Sequence, residues 1–421
     1  TFKQACIQGI APDNGLYFPE YIPQLPSTFF DGLKAASKVA IAYDVLQPYI
    51  GNDIPKKDLE KILEETFDFP FPLVPVTDDI FSLELFHGPT LAFKDVGARF
   101  MSRCLGYFLK GTSQPVTVLV ATSGDTGGAV AHGFLGVEGV KVVILYPAGK
   151  VSDMQERQLT TLGNNIAALQ VQGNFDDCQQ MVKKAFGDKE LNRKMFLTSA
   201  NSINVARWLP QQLYYFFALQ QWPYLPQLPV ISVPSGNFGN IAAGLLAQQS
   251  GLPVQHFIAA CNANDIVPQF MAEGQYQPKK AIATLSNAMD VGDPSNFVRI
   301  LEMFSQHLPH LKKGFSSVSI SDAETVETIQ KVFETFGYTL DPHGAVAYAA
   351  LQKYLHQNPH TKGYIVETAH PVKFRGIVEE ALGQNIHETH SVAQLATKEK
   401  VFLKIPTDYD ALRNYLVQNN I

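Results

Sequence analysis

Residues Phe81 to Cys104, FSLELFHGPTLAFKDVGARFMSRC, run from a strand pattern into a helix pattern through a single lysine. Phe81, Leu83 and Leu85 alternate as in a β-strand, and His87-Gly88-Pro89 predicts a turn. Val96, Phe100, Met101, Cys104, Leu105, Phe108 and Leu109 then recur at helical spacing, with Asp95 as the predicted N-cap. Lys94 stands at the boundary, after Phe93. Two readings of it are open. It snorkels from a half-buried strand end with its charge in water, or burial and nearby positive charge lower its pKa and leave an amine able to form a Schiff base.

Downstream, short β-rich runs alternate with helical patterns of ten or more residues. Val116 to Ala121, Val140 to Tyr146, Ile166 to Gln172 and Val230 to Pro234 are the strands of this series. Such alternation predicts an α/β fold of mainly parallel open sheets with helices on both faces. Upstream, residues 1–80 read as a small N-terminal domain, with helices at about 30–46 and 56–67, and with Phe69-Pro70-Phe71-Pro72 as a linker. In parallel sheets ligands gather beyond the carboxyl ends of the strands. The loops that directly follow strands are therefore the candidate site.

Three such loops stand out. Thr122 to Gly128, TSGDTGG, combines hydroxyls and glycines at a helix start; it reads either as an anion site or as a turn capped by Asp125 or Thr126. Pro234 to Asn240, PSGNFGN, brackets the next helix start with two glycines and two asparagines, a cradle that suits a phosphate. Glu367 to Pro371, ETAHP, ends the strand-like GYIV and puts the Thr368 hydroxyl at the same sheet edge.

Composition narrows the classes. A chain of 421 residues has room for two or three domains with a large core, and 46% hydrophobic residues argue against disorder. A net charge of −6 gives no basic footprint for nucleic acid, and charges or prolines interrupt every long apolar run, so neither nucleic acid nor membrane is an expected partner. The four cysteines are scattered without metal or redox spacing, which predicts free thiols in a reducing, cytoplasmic setting. His87, His132, His343 and His370 share no ligand spacing, and no metal is expected. With no signal-type segment, the start of the chain is expected to be trimmed or disordered.

FHGPTLAFKD, ATSGDTGGAVAHGF, SVPSGNFGN and ETAHPVKF, in this order, resemble the threonine synthase family, pyridoxal-phosphate (PLP) enzymes of the tryptophan synthase β-like fold, fold type II. The likeness extends from NGLYFPE at Asn14 to KFRGIVEEALG at Gly383; residues 384–421 carry no matching block. The resemblance implies two α/β domains besides the N-terminal one: a large PLP-binding domain of residues 81–107 and 205–383, and a small mobile domain of residues 108–204 flanked by Gly111 and Gly173. Residues 384–421 form a C-terminal segment. A monomer or homodimer is implied.

Position by position, Lys94 resembles the lysine that holds the cofactor. Gly236, Asn237, Phe238, Gly239 and Asn240 resemble the cup for its phosphate, and Thr368 the hydroxyl partner of its pyridine nitrogen. Ser123, Gly124, Asp125 and Thr126 match the loop that holds the substrate carboxylate over the cofactor ring. In many relatives an asparagine stands where Asp125 does, and an aspartate would repel the cofactor's phenolic oxygen unless one of the two is protonated. Ser202, Asn204 and Arg207 resemble the segment for the substrate phosphate; without the resemblance, Arg207 reads as a helix-surface ion pair. The implied reaction converts O-phospho-L-homoserine and water to L-threonine and phosphate. Alternatives are a threonine-dehydratase-like lyase, which would not need Arg207, and a family member that binds cofactor and phosphorylated ligand without turnover. A nicotinamide-dependent oxidoreductase is disfavoured because no GxGxxG follows the first strand.

Overall fold

A computed structural model of the chain describes residues 1–13, 15–112 and 115–419; Asn14, which opens NGLYFPE, lies outside the described residues. Eleven strands are found among them: β1 Leu73–Pro75, β2 Ile80–Glu84, β3 Val116–Ala121, β4 Val140–Pro147, β5 Ile166–Val171, β6 Phe196–Ser199, β7 Val230–Pro234, β8 His256–Cys261, β9 Phe315–Ser319, β10 Gly363–Glu367 and β11 Leu403–Ile405. They form two sheets, in the orders β1-β2-β10-β7-β8-β9 and β11-β5-β4-β3-β6. Every pairing is parallel except that of β1 with β2. Strands such as VTVLVA and VISVP are buried along their whole length, as parallel strands covered on both faces must be.

Strand order sets the position of everything functional. β10 lies between β2 and β7, with Glu367 opposite Glu84 and Ile365 opposite Ser232. The loops leaving these three strands therefore emerge side by side: the turn to Lys94, the segment of Thr368 and the Gly236–Asn240 loop. In the second sheet β6 lies beside β3, which brings the Ser202–Arg207 segment next to the Thr122–Gly128 loop.

Several sequence expectations are corrected. The helix after the first turn spans Lys94–Leu109 and starts at the lysine itself; Asp95 is not its cap. The Asp95 carboxylate is buried and turns back to accept from the N–H and Oγ1 of Thr90, at 2.9 and 2.5 Å, closing the turn that delivers Lys94. Neither Asp125 nor Thr126 caps the helix Asp125–Phe134: its N-cap is Gly124, and Thr122 Oγ1 accepts from the N–H groups of Gly124 and Gly127. Phe69 and Phe71 are not linker residues, since both rings are buried and pack on each other and on Phe67, Tyr214 and Phe217.

The chain start is helical, Phe2–Gln8, with the Thr1 side chain accepting from Gln4 N–H. Gly173 lies within the run of the second sheet, between β5 and the helix Phe175–Gly187, and not at its border. The segment after residue 384 adds β11 to the edge of that sheet beside β5 and lays the helix Tyr409–Gln418, with buried Leu412 and Leu416, onto its core.

Candidate active site

Lys94 and Thr368 are joined through the backbone. Phe93 N–H donates to Thr368 C=O at 2.9 Å, His370 N–H donates to Leu91 C=O at 3.1 Å, and Ala92 bridges Ala369 in antiparallel fashion. The Lys94 side chain is 19% exposed; its Nζ lies 3.6 Å from Asp125 Oδ2 and 4.5 Å from the centre of the Phe93 ring. Burial lowers its pKa below the ordinary lysine value; the charges of Lys373 and Arg207 push the same way, against the attraction of Asp125. Snorkelling is thus excluded as its arrangement.

The Gly236–Asn240 loop leads into the helix Gly239–Gln249, with Phe238 as N-cap at φ 61° and its ring buried against Phe297. Among the described residues, the backbone N–H groups from Gly236 to Asn240 meet no protein acceptor. Five consecutive donors at a helix start favour an anion. Side chains brace the loop. Asn240 donates to Pro234 C=O and accepts from Ile241 N–H, and Asn237 accepts from Ser295 N–H.

The two sheets meet at Asn237, whose amide donates to Ser202 Oγ at 2.7 Å; Asn296 donates to the same oxygen at 3.1 Å. Ser202 keeps its own proton to give. Arg207 is no surface ion pair: its guanidinium is buried, with Nη1 donating to Ala200 C=O and Nε without a partner among the described residues. Burial pushes its pKa down to about 10, opposed by Tyr214 and Asp95. It abuts Gly97, one turn beyond Lys94, where an added Cβ would lie 3.0 Å from Arg207 Nε and 2.7 Å from its carbonyl oxygen. Asn204, by contrast, is not available to a substrate. Its amide donates to Cys6 and Ser199 carbonyls and its oxygen accepts from Ala206 N–H, so it shapes the turn that presents Arg207.

Ser123, Gly124 and Thr126 surround Asp125 on the loop after β3. Gly124 has φ 140° and packs where a Cβ would come within 2.4 Å of Gln155, so only glycine fits there.

A family model of pyridoxal-phosphate dependent enzymes matches residues 75–369, and models of the threonine synthase N terminus and C-terminal region match residues 1–67 and 344–416. Threonine synthase of Escherichia coli (strain K12) is 46% identical over 421 residues, covering 100% of this chain and 97% of its own. The chain belongs to the threonine synthase family. The crystal structure of threonine synthase from E. coli aligns with a TM-score of 0.93 at 46% identity, over 99% of this chain and 96% of its own. PLP-bound threonine synthase from Brucella melitensis aligns with a TM-score of 0.93 at 34% identity, over 100% and 96%. This member of the family is a PLP-dependent enzyme of fold type II.

The residues present fit that cofactor. A partly buried amine of lowered pKa and, among the described residues, five N–H donors at a helix start and a Thr368 hydroxyl without protein partners stand in the loops after three adjacent strands. Sequence reasoning missed the residues that hold this set in place. Lys373, fully buried, contacts Asp125 Oδ1 at 2.9 Å, Thr90 C=O at 2.7 Å and Gln158 Oε1 at 2.9 Å. Gln155 Nε2 donates to Asp125 Oδ1 at 3.0 Å. A lysine between Val372 and Phe374, just after a sheet-edge loop, was the available signal for the first; Gln155 and Gln158 carried none.

Proposed function

We propose that the chain converts O-phospho-L-homoserine and water to L-threonine and phosphate, with Lys94 both holding the cofactor and moving the protons. The observation that carries this reading is a depressed-pKa lysine at a helix start, backbone-bonded to the Thr368 loop, with the buried Arg207 packed against Gly97, one turn along that helix. When bound, PLP supplies an electron sink next to the substrate's amino carbon. Gly236 to Asn240 would hold its phosphate and Thr368 its ring nitrogen.

Lys94 Nζ, lowered in pKa, is suited to take the proton from substrate Cα and, once that proton has been passed on, the one from Cβ as phosphate leaves Cγ, and to return protons to Cγ and Cα as water adds its hydroxyl at Cβ. Arg207, short of acceptors, and Ser202, with a proton to donate, fit a dianionic phosphate; a guanidinium fork grips it through oriented bonds. Ser123, Gly124 and Thr126 are read as the substrate carboxylate loop.

We read residues 108–204, with β11 at their edge, as a lobe that closes on the large PLP-binding part, and residues 1–80 as a leading unit packed on it. Four buried free thiols agree with a cytoplasmic setting. The test is a single assay of O-phospho-L-homoserine turnover, scoring phosphate and threonine together. Equal amounts of both support the reaction; phosphate with 2-oxobutyrate instead of threonine would point to elimination without water addition, and neither product would refute it.

A further inference from the structure

Asp125 is one carboxylate between two lysine amines. Its Oδ1 is held by Lys373 at 2.9 Å and by Gln155 at 3.0 Å, while Oδ2 faces Lys94 at 3.6 Å, beyond hydrogen-bond length. The Lys373 side chain is 0% exposed and that of Asp125 4%, so the pair is shielded from solvent screening. The contacts also cross the two sheets. Lys373 lies in the turn Pro371–Phe374 after β10 and bonds Thr90 on the loop to Lys94, while Asp125 and Gln158 belong to helices packed on the second sheet. Gln158 closes the ring by donating to Thr90 C=O at 3.0 Å.

We propose that Lys373 is a positioning residue of this site: by holding one oxygen of Asp125 it leaves the other as a charge-compensated acceptor beside Lys94, and stops Asp125 from pairing fully with the Lys94 ammonium. Without Lys373, Asp125 would face Lys94 as its only counter-ion, and the lysine would be held protonated when it must be neutral to react. The other ionisable groups facing the pair leave this role to Lys373. Arg207 also pushes the Lys94 pKa down, but it packs against Gly97 and has Tyr214 and Asp95 beside it. Asp95 is buried, which raises its pKa against the lowering effect of the bonds it accepts from Thr90. His132, half-buried and near Lys373, is held neutral with its pKa pushed down to about 4 by desolvation.

The inference rests on the reading of Lys94 as the reactive amine. It is tested without turnover, on the full-length chain freed of cofactor, by following dinitrophenylation of Lys94 with 1-fluoro-2,4-dinitrobenzene as a function of pH, scored on the Lys94 peptide by mass spectrometry. Lys373→Gln moves the midpoint of labelling to higher pH and slows it roughly tenfold at a fixed pH below that midpoint, the equivalent of one pH unit. Asp125→Asn moves the midpoint to lower pH, Asp125→Asn with Lys373→Gln returns it to near the original value, and Lys373→Arg restores it. A residue that only braces the fold would lower thermal stability and leave the midpoint where it was. An unchanged midpoint in Lys373→Gln, or a double variant that labels like Lys373→Gln alone, overturns the proposal. If Lys373→Gln does not fold, Asp125→Asn and Lys373→Arg carry the test, and an unchanged midpoint in Asp125→Asn overturns it. Absence of threonine formation would count against the proposed reaction and leave the labelling result standing.

Discussion

Phe93 N–H bonds to Thr368 C=O across 2.9 Å, which ties the residue before Lys94 to the strand end that carries the ring-nitrogen candidate. The two functional groups cannot drift apart without breaking a buried backbone bond. Lysine and hydroxyl thus act as one rigid unit. Thr368→Val keeps the shape and removes the hydroxyl, at a loss of about 1 kcal/mol for a neutral hydrogen bond. Cofactor affinity, titrated by the absorbance of added PLP, falls roughly fivefold; an unchanged affinity would remove Thr368 from the site.

Gly236 sits where an added Cβ would lie 2.5 Å from Met289 Cα, a backbone atom that cannot rotate away. Gly236→Ala therefore displaces the loop whose N–H groups form the anion cradle. Overpacking of this kind costs about 1–3 kcal/mol. Expected are weaker PLP retention on dialysis, by roughly tenfold or more, and a lowered melting temperature. A variant that retains the cofactor as tightly as the parent contradicts the assignment of the loop.

Arg207 is buried with an unpartnered Nε, and a substrate phosphate would supply what it lacks. Arg207→Lys keeps the charge and loses the fork. Losing one charge-assisted hydrogen bond of the fork costs about 1.5–3 kcal/mol, so kcat/KM for O-phospho-L-homoserine falls roughly tenfold to a hundredfold, and inhibition by inorganic phosphate weakens with it. Loss of activity with phosphate inhibition intact would place the phosphate elsewhere.

Asp125 gives a pH prediction. Burial works against its ionisation, yet Lys373, Lys94 and the Gln155 amide prevail and hold the carboxyl well below the usual carboxylate range. A carboxyl with a depressed folded pKa binds fewer protons folded than unfolded. Its stabilising contribution is present above the unfolded value of about 3.9 and is lost as pH falls toward the folded value. Asp125→Asn should flatten part of the decline in urea stability between about pH 5 and pH 2. The rest remains because Asp188 and Glu324 are also held down, each to about 2. An unaltered slope would mean that Asp125 is not ionised in the fold.

Much of this arrangement was legible in the sequence because it is local. The alternation at Phe81, Leu83 and Leu85, the helical face through Val96 and Phe100, and the glycine loops after VTVLVA and VISVP each signal their own structure within about ten residues. What was not legible depends on distant partners. Asp95 reads as a cap until Thr90 is seen to occupy its carboxylate, and Asn204 reads as a ligand until Cys6 and Ser199 are seen to hold its amide. Phe69 and Phe71 sit next to prolines, which marks a linker locally, but Phe71 packs on Tyr214 and Phe217 and Phe69 packs on Phe71. β11 is three residues long, with exposed Leu403 and Lys404, and only its pairing with β5 makes it a strand. Lys373 is the sharpest case: its role exists only because Asp125 and Thr90 converge on it.

That convergence puts one buried and one partly buried lysine around one carboxylate, so the central claim reduces to which of them carries the cofactor. Borohydride reduction of the PLP-loaded chain, followed by peptide mapping, answers it directly. The cofactor should be fixed on the peptide containing Lys94, and Lys94→Ala should abolish the label and lower threonine formation by roughly a thousandfold or more. Label on Lys373, or turnover intact in Lys94→Ala, would contradict the account.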